Sequence, residues 1–218
     1  MKQVKRRVWS ILLVCFILLT MLPAGAWAAD GVTEVTDSGA LIEAFAKGGE
    51  IRLKNDITVT GDETLQIPKG IEVSLDLGGY ELTLQNVGSA TDEEAYYNAS
   101  KNPQSTVPAS IWNQGTLSVQ NGTISGEEAT YMLVNSGNLT LADDVVIKKT
   151  ANGNAIDNLG GSVTSSADIT VKEGTNYSAI VTYGGSVTIE GGTIQADYGV
   201  DIFNRSYDNE SEGATVTV

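Results

Sequence analysis

The sequence predicts an all-β fold: a parallel solenoid closed at its N-terminal end by a short capping α-helix. Three observations carry that prediction. A segment of 22 to 24 residues recurs along the chain, apolar and polar residues alternate inside each copy, and an asparagine stands just before the glycine that opens several copies.

Residues 1–28 read as a secretory signal peptide. MKQVKRR is a basic n-region, Val8 to Leu22 is apolar, and Ala26-Trp27-Ala28 is a small-x-small cleavage site. The alternative is an uncleaved membrane anchor, for which the run is short and Pro23 interrupts its end. Cleavage leaves no Cys and no further membrane-spanning stretch, and it places the protein outside the cell or on its surface. Residues 29–49 form the capping segment. Asp37 or Ser38 starts a short helix, Leu41, Ile42 and Phe45 share one face, and Gly48-Gly49 ends it.

Coils occupy 50–218. GTLSVQNGTISG, GNLTLADDVVIKK, GSVTSSADITVKE and GSVTIEGGTIQAD each open with Gly, alternate, turn and resume a strand. Aligned on the first inward apolar residue, the series is Ile51, Leu75, Leu117, Leu139, Val163, Val187 and Val216, with steps of 24, 42, 22, 24, 24 and 29. The step of 42 places an insertion at about 86–110, containing Tyr96 and Tyr97, and the step of 29 places a smaller one near 205–213. Stacked laps bond to the laps above and below at the ~4.8 Å strand spacing. Asn113, Asn135 and Asn158, followed by Thr182, are expected to form a structural amide ladder at one corner. The final residues end inside a strand, so a truncated chain is the expectation, with self-association through the bare edge as the alternative.

Composition excludes several activities. The chain has 13 Lys+Arg against 27 Asp+Glu, one Cys and no His. After cleavage the balance is 9 against 27, a net −18. Such a surface does not suit a nucleic acid, and a chain without His has no Ser-His-Asp triad and no His-ligated metal.

The coils SIWNQGTLSVQNGTISG and AIVTYGGSVTIEGGTI, with LDLGGYELTL before them, resemble the right-handed parallel β-helix (pectin-lyase-like) regions of secreted and surface proteins of Gram-positive bacteria. The resemblance spans roughly residues 33–218 and implies a single-stranded right-handed parallel β-helix. It does not imply one activity, since that superfamily holds lyases, hydrolases, esterases and adhesin stalks.

Candidate sites follow from one-period stacking. Asp144 and Asp168, flanked by Asp143, are the candidate ligands of a calcium ion, against a plain solvated turn. No other cofactor is implied. Lys148 and Lys172 are candidate general bases of a lyase; one position on stand Glu127, Lys149, Glu173 and Asp197, of which the first three alternate in sign and read as a cross-coil ion-pair ladder, so a structural role is the simpler reading of the lysines. Tyr131, Tyr177 and Tyr198 are a candidate sugar-stacking strip, against a corner-shielding role. The leading expectation is a non-catalytic, adhesin-like extracellular stalk with a weak surface for polysaccharide, a cell-surface glycan or a protein. The alternative is a calcium-dependent polysaccharide lyase or other carbohydrate-active enzyme.

Overall fold

The computed structural model describes residues 31–85, 109–127, 131–202 and 214–218. Residues 1–28, which the sequence reads as a signal peptide, nearly all of the 86–110 insertion with Tyr96 and Tyr97, and the 205–213 insertion lie outside the described residues.

Every strand pair is parallel, and the strands fall into three stacks that each lap of the chain visits in turn. The first stack holds β1 (Thr33–Val35), β2 (Gly49–Leu53), β5 (Glu72–Asp76), β8 (Thr116–Gln120), β11 (Asn138–Leu141), the second half of β13 (Ile156–Ser165), the second half of β15 (Ser178–Ile189) and β18 (Ala214–Thr217). The second holds β3 (Ile57–Val59), β6 (Glu81–Leu84), β9 (Gly122–Gly126), β12 (Val145–Lys149), β14 (Asp168–Val171) and β16 (Ile194–Gln195). The third holds β4 (Leu65–Ile67), β7 (Ile111–Asn113), β10 (Leu133–Asn135), the first halves of β13 and β15, and β17 (Tyr198–Ile202). The third and first stacks form one sheet because β13 and β15 run round the corner between them unbroken. This is a parallel β-solenoid.

Alternation sets the core. Leu117, Leu139, Val163 and Val187 stack inward in one row, Ile57, Leu82, Ile124, Ile147 and Ile169 in another, and Leu65, Ile111, Leu133, Ile156 and Ile180 in a third. These side chains are at most 3% exposed and join one cluster. Leu117 stacks on Val73, with Leu75 opposite Val119, so the step across the insertion is 44 residues and Ile51 and Leu75 belong to the neighbouring inward row. A two-residue slip keeps every side chain on its face, so apolar alternation cannot tell the two registers apart.

Helix α1 (Ser38–Lys47) starts where the Asp37 carboxylate accepts the Ala40 N–H at 2.9 Å. It stops at Gly48, whose φ of 81° suits glycine and whose missing Cβ makes room for Ile71 and the Glu72 carbonyl. Leu41, Ala44 and Phe45 are buried in the main core, and α1 contacts the earliest strands β1, β3 and β4. The helix therefore lies across the first lap. Among the described residues β16, β17 and β18 each have one strand neighbour. There the core row opens: Tyr198 is 52% and Ile202 51% exposed, although their register partners Ser178 and Thr182 are buried.

Candidate functional site

The site is a patch on the outer side of the second stack, where β12 lies beside β14. In Val145-Val146-Ile147-Lys148-Lys149 alternation sends Val145, Ile147 and Lys149 inward and Lys148 outward. Lys148 lies opposite Thr170 and Lys149 opposite Val171. The Lys172 N–H bonds the Lys149 carbonyl, which carries the register one step on and sets Lys172 beside Thr150. Lys148 and Lys172 thus occupy a diagonal of a four-residue square, one strand spacing (~4.8 Å) and two residues apart. The two threonines fill the other diagonal. A cavity of about 300 Å³ opens here, lined by Lys148, Lys149, Thr150, Thr170 and Lys172.

Lys149 forms the inner wall, with 1% of its surface exposed. Burial pulls its ammonium down to about 8, and the field of buried Asp157 raises it part of the way back. The Lys148 and Lys172 ammoniums have no hydrogen-bond or ion-pair partner among the described residues. Thr150 Oγ1 donates to the Gly126 carbonyl at 3.3 Å.

The expected charge ladder does not form. Lys149 is flanked by Gly126 and Val171; Glu127 accepts from Gln85 Nε2 at 2.7 Å, and Glu173 from Gln195 Nε2 at 2.9 Å. Corner length explains the difference. Between the first and second stacks the chain spends one residue after β8, three after β11 and two after β13, so counting from the inward residue drifts.

The acidic candidates are also offset. Asp168 lies opposite Val146, not Asp144. Asp144 accepts the Asn121 N–H at 2.8 Å, in the turn of the preceding lap, and Asp168 accepts the Thr193 N–H at 2.7 Å, in the turn of the following one. Asp143 is exposed in the β11–β12 turn. Among the described residues no group of three or more His, Cys, Asp or Glu is placed to hold a metal ion. Asp197 accepts the N–H groups of Gly174, Thr175 and Asn176 at 2.7–3.0 Å, and these bonds hold its carboxyl below the ordinary value. For Asp76 burial pushes upward, but the Arg52 guanidinium at 2.8 Å, the Gly78 N–H and the Asn121 amide outweigh it and keep the carboxyl low.

The three tyrosines stand in different surroundings. Tyr131 packs with Trp112, Val134 and Ala109 in a second apolar cluster outside the third stack. Tyr177 packs against the main core, and Tyr198 belongs to the opened inward row of the last lap.

At the corner between the third and first stacks, Asn113 Nδ2 donates to Asn135 Oδ1 at 2.8 Å, and Asn135 Nδ2 to Asn158 Oδ1 at 2.8 Å. Asn158 Nδ2 donates to Thr182 Oγ1 at 3.1 Å, and that hydroxyl donates to the Gly184 carbonyl at 2.7 Å. All four side chains are fully buried. Beside them runs a column of glycines that sequence reasoning treated only as openers of each copy. A Cβ at Gly137 would strike the Gly115 carbonyl, one at Gly161 the Gly137 carbonyl, and one at Gly185 the Gly161 carbonyl.

A second surface lies on the outer side of the first stack. From β8 onward two columns run down it: Thr116, Asn138, Ser162, Ser186 and Thr215, and Ser118, Thr140, Thr164, Thr188 and Thr217; on the earlier laps they continue into Glu72 and, through Ser74, into Glu50. All ten side chains are uncharged in a chain with a net charge of −14. Ser186 Oγ lies 3.1 Å from Ser162 Oγ, within the first column.

Comparison of the chain with protein-family models, with curated proteins and with solved structures gives no match.

Proposed function

We propose that the chain is a non-catalytic extracellular scaffold: a right-handed, pectin-lyase-like β-helix that serves as the rigid stalk of an adhesin-like secreted or surface protein. The neutral serine and threonine columns of the first stack are its weak contact surface for a glycan. One observation carries this reading. Asp76, Asp144, Asp168 and Asp197 all accept backbone N–H groups, within their own turn or from the turn of an adjoining lap, so these carboxylates are committed to holding laps together. The Asp197 carboxylate, held by three backbone N–H donors, is stabilised as an anion and is a poor general acid. A hydroxyl column exchanges bonds with water at nearly equal energy, so affinity for a sugar chain comes from many weak contacts along the stalk.

A calcium-dependent polysaccharide lyase is the second reading, favoured by the cavity beside Lys148 and Lys172. Incubation with polygalacturonate, alginate and glycosaminoglycans in the presence of Ca²⁺ separates the two. The stalk reading expects no ultraviolet absorbance from unsaturated products. It also expects glycan retention that weakens when Thr140→Glu and Thr164→Glu place charge in the column. Product formation that disappears in Lys172→Ala overturns it.

A further inference from the structure

Basic side chains are scarce in this molecule, and their distribution is uneven. Seven lie among the described residues: Lys47, Arg52, Lys54, Lys69, Lys148, Lys149 and Lys172. Lys47, Arg52 and Lys54 are each committed to a carboxylate, at 3.1, 2.8 and 3.0 Å. Three of the remaining four line one cavity. The charge of Lys149 is answered in part by Asp157, which leaves the two outward ammoniums of Lys148 and Lys172 facing the same opening. Like charges one strand spacing and two residues apart repel, and neither has a protein anion to relieve it among the described residues.

We propose that the outer face of β12 and β14 is a binding site for one small organic anion, a ring-sized molecule bearing a sulfate, phosphate or carboxylate group held between Lys148 and Lys172. The volume sets the size: about 300 Å³ lies at the small end of ligand sites and suits a single ring with its substituent. The walls set the body of the ligand. Lysine stems are four methylenes long, so the cavity presents apolar sides under a charged rim, which fits the C–H face of a ring. The rim sets the head group. An ammonium is a compact point charge without the planar fork of a guanidinium, so the site reads charge and position rather than the geometry of one oxyanion. The Thr170 hydroxyl, exposed between the lysines, supplies one neutral donor. The inference stands on this patch alone and holds whether or not the stalk reading does.

The test is calorimetric titration of the chain at low salt with glucose 6-sulfate, glucose 6-phosphate, glucose and inorganic sulfate. The two anionic sugars are expected to bind at least about tenfold more tightly than glucose or inorganic sulfate, and more weakly as salt is added. The double variant Lys148→Gln/Lys172→Gln is expected to lose about tenfold or more in affinity with an unchanged melting temperature, because both side chains are exposed. If the double variant melts early, each single variant is titrated instead. Absence of binding by the anionic sugars overturns the site. So does binding that glucose or inorganic sulfate matches, or that survives removal of both lysines.

Discussion

An ammonium kept from water gives up its proton more readily, and Lys149 shows the consequence for stability. Its folded value is about 8, against 10.5 for a free lysine. Between those values the unfolded chain binds more protons than the folded one, so unfolding becomes costlier as pH rises. Below about pH 8 both states are protonated and the burial penalty is present in full. Urea titrations at pH 7 and 9.5 are therefore expected to show the wild type gaining stability relative to Lys149→Met. An equal difference at both values would remove the electrostatic account of this residue. The sequence reading set Lys149 on an exposed charge ladder and passed over the signal in Val145-x-Ile147-x-Lys149, where its parity matches the inward apolar residues. Its stacking partners were not legible, because the corner lengths that decide them carry no apolar signal.

At the scale of the elements, the corner between the third and first stacks is the most tightly specified. Buried amides on one side and glycine backbones on the other leave it little room to relax. Asn135→Ala removes a donor to Asn158 and an acceptor from Asn113, and is expected to cost about 2 kcal/mol or more. Gly137→Ala drives a methyl into the Gly115 carbonyl and is expected to cost about 1–3 kcal/mol, at the upper end because backbone is what must yield. Chemical denaturation checks both, and near-zero values would detach the repeat from its packing. This corner was readable beforehand because asparagine and glycine recur there at nearly constant spacing. The α1 boundaries were readable too, from Asp37 at one end and Gly48 at the other. The join across the insertion was not readable, since Val73 and Leu75 are both inward and both apolar, and only lap-to-lap pairing distinguishes them.

Over the whole molecule, α1 covers the first lap, and the last described strands, β16, β17 and β18, each have one described neighbour, with Tyr198 and Ile202 half exposed beside them.

Because each lap bonds only to its immediate neighbours, the fold has a characteristic response to tension. Pulled along its axis, it has no long set of bonds to shear at once and unwinds lap by lap. Extension would rise in even increments of about two dozen residues, each released at similar force, with a longer one where the 44-residue step lies. A tether built this way lengthens under load in a graded manner rather than failing in a single event.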